Sequence, residues 1–199
     1  FIDFKKNIKI HAINGTTGAG ASLRKEISHE NATENMLAYN AMGHRHAPEI
    51  EEKLENLFNV KNACVDLNTA HGNFRRGIFM QISLELQKNF KGKLSRNILI
   101  KKYKEFYKNK KIHNFVSINE FERTGEKNDK DYMIYPQLNN VIGTNNCLIG
   151  LDFDQDRKIV KIISVIDNLV KGAAGSAIQN MNIRLNFEMN EGLETSGIF

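Results

Sequence analysis

Ile159-Val160-Lys161-Ile162-Ile163-Ser164-Val165-Ile166, followed by Asp167-Asn168-Leu169-Val170-Lys171-Gly172-Ala173-Ala174-Gly175-Ser176-Ala177-Ile178-Gln179-Asn180-Met181-Asn182, decides how this chain is built. The first run is apolar apart from Lys161 and Ser164 and reads as a β-strand. After the junction the period changes from two to about 3.6. Val170, Ala174, Ala177, Ile178, Met181 and Leu185 then fall on one helical face, the side a helix ordinarily turns to a core. The first turn is rich in Gly and Ala, although each Gly costs about 1 kcal/mol relative to Ala. Two readings fit. The glycines let a ligand approach the backbone, where free N–H groups and the positive end of the helix dipole suit an anionic or carbonyl-bearing group. Alternatively, they make room for tight packing on a sheet.

Upstream, strand-like and helix-like segments alternate, and several strands adjoin in sequence. That pattern predicts an α+β fold: a mixed, mostly antiparallel sheet covered by helices. With 199 residues, 41% of them hydrophobic, the chain is long enough to bury a substantial core, as one domain or a domain plus an appendage. No apolar run reaches the roughly 18 residues needed to cross a bilayer. Lys5, Lys6 and Lys9 interrupt any leader-like stretch, so no membrane partner is expected. Cys64 and Cys147 have no C-x-x-C spacing and no metal-ligand cluster nearby, which argues against a metal site and for a reducing, cytoplasmic setting. The net charge of +5 comes largely from residues 88–111. From Ser95 onward that segment is amphipathic, with Leu99, Tyr103 and Phe106 as an inward stripe and lysines opposite. It reads as a solvated helix face, not a nucleic-acid surface.

Ile8, Ile10 and Ala12 alternate with polar residues in a strand that runs into Gly15-Thr16-Thr17-Gly18-Ala19-Gly20. A dinucleotide-binding turn should open directly into an apolar-periodic helix, whereas the residues that follow here are polar and loop-like. The glycine loop either cradles an anion with its N–H groups or is an ordinary turn. Short strands are expected at 36–39 and 62–67, and a longer one at 77–86. Between the first two lies His44-Arg45-His46-Ala47-Pro48-Glu49-Ile50. Pro48 suits the first turn of a helix, whose buried face is marked by Ile50, Leu54, Leu57 and Phe58. His46 falls near the N-cap, where the dipole disfavours imidazolium and keeps a base available near pH 7. Ser95 is the expected N-cap of a helix running to about residue 108. A strand at 115–118, a charged loop at 122–131 and a strand within 141–150 follow. The acidic trio Asp152, Asp154 and Asp156 lacks the Gly and bidentate Glu of an EF-hand loop and reads as a turn.

Several of these motifs together resemble one family, the N-acetyl-γ-glutamyl-phosphate reductases. The stretch from Asp167 to Asn182 is similar to their C-terminal motif, of which aspartate-semialdehyde dehydrogenases carry a looser version. His44-Arg45-His46-x-Pro48-Glu49-Ile50 is similar to their His-Arg-His-x-Pro-Glu-Ile. Residues 17–20 resemble their Ser-Gly-Ala-Gly loop, with Thr17 at the Ser position, and Arg76-Gly77-Ile78 resembles the end of a further motif. His71 stands one place off register in that motif and is not carried over.

The resemblance implies a glyceraldehyde-3-phosphate dehydrogenase C-terminal-domain-like fold. It implies a catalytic and dimerisation domain over 1–166 and, over 167–199, a helix and tail that return to a nucleotide-binding domain. It also implies an NADP-dependent reduction of a small-molecule acyl phosphate in arginine biosynthesis, in a homo-oligomer. His46 would be the acid/base, and His44, Arg45, Arg76, Gly18 and Gly20 would bind substrate. Asn168 and Gly172 would lie beside the NADP nicotinamide. The nucleophilic Cys, in an Asn-Pro-Gly-Cys-type segment, would lie outside these residues, since neither Cys64 nor Cys147 has that context. The alternatives are a reductase for carrier-protein-linked aminoadipyl or glutamyl phosphate, whose tail residues 192–198 resemble, and a non-catalytic oligomerisation or regulatory subunit. The reductase reading requires a neutral His46 to face the glycine-rich mouth of the final helix across a shared cleft; the two on opposite sides of the molecule with no cavity joining them would end it.

Overall fold

Every apolar run expected to be extended enters one seven-stranded sheet in the computed structural model, which describes residues 1–22, 24–108, 115–125 and 130–193. The strands are β1 (Ile8–Asn14), β2 (Leu37–Tyr39), β3 (Val65–His71), β4 (Ile78–Glu85), β5 (Val116–Ile118), β6 (Cys147–Asp154) and β7 (Ile159–Ile166). Their order is β2-β3-β1-β4-β7-β6-β5. β1–β3 and β5–β6 pair in parallel and the other neighbours antiparallel, so the sheet is mixed and mostly antiparallel, as the sequence predicts. Residues 109–111 of the basic run, 126–129 of the charged loop and the tail 194–199 lie outside the described residues.

Register explains where the core sits. Leu67, Ile10, Ile82, Ile162 and Leu151 form one row across five strands, and their side chains share a face. Helix α2 (Ala47–Phe58) and helix α3 (Arg96–Lys108) cover that face. Ala47, Ile50 and Leu54 pack on Ile8, Ile10 and Val65, while Leu99 and Ile100 pack on Leu151, Val160 and Ile162. On the opposite face the pleat presents Lys9, His11, Asp66 and Gln81, all exposed. At its β6 end that face is closed by the segment holding buried Ile134 and Val141, with Pro136 lying over Gly150.

Local departures from the expected elements have local causes. The third strand starts at Val65, not at 62, because Asn62 takes a left-handed conformation (φ 60°) and pairing with Ile8 sets the register. It extends to His71 because Thr69 and His71 hide the alternation, Thr69 being buried with its hydroxyl donating to the Tyr39 carbonyl at 2.7 Å. Ser95 does cap α3, its Oγ accepting the Ile98 N–H at 3.4 Å. The inward stripe of α3 is Leu99, Ile100, Tyr103 and Tyr107, whereas Phe106 is exposed: burying Ile100 turns the stripe away from residue 106. On α2, Leu57 and Phe58 are exposed, and Phe58 stacks on Phe4 at 5.2 Å instead. The acidic trio forms a turn in which Asp154 Oδ1 accepts the N–H groups of Asp156 and Arg157.

The closing helix departs most from expectation. It opens with a π-helical turn over Val170–Ala174 and continues as an α-helix over Gly175–Arg184; with the short helix α1 (His29–Ala32) counted, this is α4. Its buried positions are Gly175, Gln179 and Asn182, while Ala174, Ala177, Ile178, Met181 and Leu185 are exposed and Val170 is half-buried. The apolar face therefore points outward, contrary to the periodicity reading. The buried side meets the body of the fold at Asn145, whose Nδ2 donates to Gln179 Oε1 at 3.5 Å, and further polar contacts brace the helix and its tail. Lys171 Nζ donates to Gln179 Oε1 at 2.7 Å and lies 5.1 Å from the Phe115 ring centroid. Asn182 Nδ2 donates to the carbonyls of Met189 and Glu191.

Candidate functional site

The C-terminal ends of β1, β3 and β7 and the N-terminal ends of β4 and β6 meet at one end of the sheet, where Asn14 pairs with both His71 and Ile78, and Ile166 with Ile78 and Cys147. Segments leaving those ends carry Gly18, Gly20, Arg76, Asn168 and Gly172, whereas His44, Arg45 and His46 follow β2, which runs antiparallel to β3, and join the others through the Tyr39 ring. They form a belt across the strands.

At one end of the belt stands α2. His46 is its N-cap residue and is exposed, with Arg45 exposed beside it. The His46 N–H donates to His44 Nδ1 at 3.2 Å, and the two rings meet edge-on at 4.9 Å. A ring nitrogen that accepts carries no proton, so neutral His44 holds its hydrogen on Nε2. Burial, then the charges of His46 and Arg45, lower the His44 pKa below the ordinary histidine value. His44 meets the Tyr39 ring at 5.9 Å, and Tyr39 stacks on His71 at 4.5 Å. Sequence reasoning set His71 aside and did not single out Tyr39. The available signal was spacing, since Tyr39 and His71 close the strands that flank the His-Arg-His helix in sequence, and antiparallel pairing brings their rings into diagonal contact.

Next comes the glycine loop. Its hydrogen bonds run to the β3–β4 connection: Gly15, Thr16 and Thr17 N–H groups donate to the carbonyls of Gly77, Phe74 and Arg75. Gly18 lies directly on the Asn14 amide, where a Cβ would collide, and Gly20 holds φ 84°, a conformation glycine takes without penalty. The two glycines thus have separate structural reasons for being there.

Asp167 and Asn168 tie the far end of the belt. Asp167 is fully buried; its Oδ2 contacts the Arg76 guanidinium at 2.7 Å and accepts the Gly143 N–H at 2.8 Å. Its Oδ1 accepts the N–H groups of Leu169 and Val170 at 2.7 and 3.0 Å. Two N–H groups at the head of the helix are thus taken by the chain's own carboxylate, a capping role open to Asp by residue type, and the Gly172 N–H donates to the Asp167 carbonyl at 2.9 Å. Asn168 Oδ1 accepts the Gly77 N–H at 2.7 Å, and its Nδ2 donates to Thr17 Oγ1 at 2.9 Å. Thr17 in turn donates to the Arg75 carbonyl at 2.6 Å. Gly172 is exposed, and a Cβ there would meet nothing nearer than 3.5 Å. The close-packed glycine is Gly175, seated against the Asn145 amide oxygen and Val170.

The belt thus brings His46, His44 and Arg45 to one end, Gly18 and Gly20 to the middle, and Arg76 and Asn168 to the other end, with Gly172 one turn beyond. Two cavities of about 750 and 560 Å³ lie elsewhere, lined by residues around 118–148 and by 86–98 with 153–158; neither includes a belt residue, so neither is the cleft expected between His46 and the final helix. Among the described residues no group of three or more His, Cys, Asp or Glu could hold a metal, and no helix is long and apolar enough to cross a membrane. Cys147 lies 3.5 Å from Ser164 Oγ inside the sheet, and burial raises its pKa, which disfavours the thiolate.

Comparison with known proteins fits this arrangement. The chain is 34% identical over 192 residues to a protein of Halothermothrix orenii named N-acetyl-gamma-glutamyl-phosphate reductase, and 37% identical over 187 residues to one of the same name from Staphylococcus epidermidis. These matches cover 96% and 94% of the chain but 50% and 49% of the relatives, so it spans about half the length of the relatives it matches. Aspartate semialdehyde dehydrogenase II from Vibrio cholerae, crystallised with ASA, shares the fold with a TM-score of 0.61 at 13% identity, over 91% of this chain and 55% of that one. The corresponding enzyme of Francisella tularensis gives a TM-score of 0.60 at 17% identity, over 89% and 57%. A family model described as "semialdehyde dehydrogenase, dimerisation domain" matches residues 1–168, and the chain belongs to that family.

Proposed function

We propose that this chain is the acid/base and substrate-binding half of a nicotinamide-dependent acyl-phosphate reductase that converts N-acetyl-γ-glutamyl phosphate to the semialdehyde in arginine biosynthesis. The observation that carries the reading is the continuous belt from His46 to Asn168 across one end of the sheet, together with the shared name of the relatives. In this chemistry a cysteine thiolate displaces phosphate from the acyl group, and the thioester is then reduced and released as aldehyde. That cysteine lies outside the chain: Cys147 is packed in the sheet, and Cys64 precedes β3 at the end opposite the belt.

His46 suits proton transfer because it is exposed, while its backbone is fixed at a helix start and its neighbour His44 lacks a proton on the facing nitrogen. Arg45 supplies a cation for the phosphate beside it. The glycine loop at Gly18 and Gly20 allows an acyl phosphate to approach the backbone. Arg76 reaches the same region while held on Asp167.

The residues present suit one end of NADP. Asn168 offers an amide with a second N–H, and exposed Gly172 leaves room for a flat ring. The phosphates do not suit the helix mouth, because the Asp167 carboxylate occupies its N–H groups. When bound, the nicotinamide supplies hydride. This chain's share is to orient the ring through Asn168 and to move the proton at His46.

The family model's "dimerisation" description and the exposed sheet face at Lys9, His11 and Gln81 support a homo-oligomer. The exposed apolar stripe of α4 supports the reading of 167–199 as a helix and tail that return to a nucleotide-binding domain. His46→Ala in the polypeptide that carries both halves tests the catalytic assignment. The kcat/KM should fall by about 10²–10⁴ while stability stays within about 0.5 kcal/mol. An unchanged rate of cofactor oxidation with acyl phosphate would remove His46 from the mechanism.

A further inference from the structure

Asn14 Oδ1 and His71 Nδ1 are buried polar atoms of the belt with no hydrogen-bond partner. They are neighbours. Asn14 and His71 are register partners in parallel strands about 4.8 Å apart, so their side chains leave the sheet on one face, and the Gly72 N–H fastens the strand ends by donating to the Asn14 carbonyl at 2.9 Å. Asn14 lies under Gly18 of the loop assigned to the acyl phosphate, and His71 is stacked on Tyr39, which leads to His44 and His46. Burying an unpaired polar atom costs roughly 1–3 kcal/mol, and two orphans on adjacent strands point to a shared missing partner.

The chemistry of the pair selects that partner. An amide oxygen only accepts, whereas an imidazole nitrogen accepts or donates according to tautomer. Phosphate is a poor occupant, because its oxygens would face the Asn14 oxygen with no proton between. A secondary amide satisfies both atoms whichever nitrogen of His71 carries the proton, through an N–H to Asn14 Oδ1 and a C=O at the Nδ1–H, or through the N–H shared by two acceptors. We propose that Asn14 and His71 form a subsite for the secondary amide of an N-acylated substrate. The subsite orients the acyl chain toward β1 and β3 and leaves the phosphate to Arg45 and the glycine loop. This rests on the reductase reading and adds what distinguishes an N-acylated substrate from a free dicarboxylic one.

The test uses the polypeptide that carries both halves and three probes: N-acetyl-L-glutamate, glutarate, which lacks the amide, and inorganic phosphate. Calorimetric dissociation constants should show wild type preferring N-acetyl-L-glutamate to glutarate by about tenfold, the value of one good hydrogen bond. His71→Phe keeps the stack on Tyr39 and deletes Nδ1, and Asn14→Leu keeps the volume and deletes the oxygen; each should erase the preference and leave phosphate affinity within about twofold. His71→Gln restores a hydrogen-bonding atom and should recover part of the preference, which a merely structural role does not predict. If the variants retain the preference, or phosphate affinity falls in parallel, the subsite is wrong while the reductase reading stands. If wild type shows no preference while turning over acyl phosphate, only a water occupies the pair and the proposal is overturned. If wild type neither binds the probes nor reduces acyl phosphate, the functional reading fails as well.

Discussion

Asp167 and His46 stand at opposite ends of one belt and are held in opposite ways. Asp167 is wholly buried, and its two oxygens take a guanidinium and three backbone N–H groups from three separate segments. His46 is exposed, and the hydrogen bonds described for it run through its backbone, the N–H to the neighbouring His44 and the carbonyl to the Ile50 N–H. The contrast follows from what each end must do. A group that sets the position of three loops has to be over-determined, whereas a group that exchanges protons needs contact with solvent or substrate and must not spend its nitrogens on the scaffold. Stability should therefore concentrate at the Asp167 end and pH response at the His46 end.

The sharpest way to break the comparison is Asp167→Ala. It strips the acceptors from Gly143, Leu169 and Val170 and takes away the counter-charge of Arg76, whose side chain is a quarter exposed while the carboxylate is fully buried. Removing one partner of a buried pair costs about 3–5 kcal/mol, and urea unfolding should show a loss of that size. A loss below about 1 kcal/mol would mean that water rescues the cluster and that the hub is not a hub.

Next in size is Gly175→Ala, whose Cβ would run into the Asn145 amide and the Val170 side chain and backbone. Overpacking of this kind costs about 1–3 kcal/mol. Gly172→Ala is its control, because the nearest atom to that Cβ is at 3.5 Å and the backbone is helical. It should be neutral or stabilising by up to about 1 kcal/mol. If the two variants behave alike, the polar docking of α4 described above is wrong.

This pair also shows what the sequence makes legible. The strands were readable wherever both pleat faces are apolar, as in β7, and the His-Arg-His helix start was readable because Pro48, Glu49 and Ile50 each suit one position of a first turn. Gly175 and Gly172 look alike in sequence, since only the neighbour across space, Asn145, separates them. The outward turn of Ile178 and Met181 was illegible for a similar reason. Periodicity identifies a face but not what covers it, and here buried Gln179 meets Asn145 while Asn182 ties the helix to its own tail. Asn14 and His71 went unread because their significance is an absence of partners at adjacent strand ends, which no local pattern encodes.

A smaller effect is expected at the middle of the belt. Thr17→Val preserves shape and removes the hydroxyl that accepts from Asn168 and donates to the Arg75 carbonyl. One net hydrogen bond is worth about 1 kcal/mol, so unfolding should shift by about that much. The informative readout is the Asn168 side-chain amide resonance. It should broaden in the variant if Thr17 fixes the orientation of the group proposed to face the nicotinamide, and an unchanged resonance would assign that orientation to Gly77 alone.

The smallest effect, and the one that probes the exposed end directly, is the pH response of His44. Its pKa in the folded protein is lowered by burial first and by His46 and Arg45 next, with Tyr39 the ring that packs on it from β2. As pH falls past about 6.5 the unfolded chain therefore binds a proton before folded His44 does, and mass action pulls the equilibrium toward unfolding. Stability contributed by neutral His44 is fully present above that value and declines as pH drops from about 6.5 to the folded-state pKa. Urea midpoints for wild type and His44→Gln between pH 8 and pH 5 isolate this share, because every other histidine is common to the two. The wild-type curve should fall more steeply below pH 6.5, and the two should run parallel above it. Parallel curves throughout would mean that His44 is as solvated as His46, and the contrast between a fixed hub and a pH-responsive rim would lose its second half.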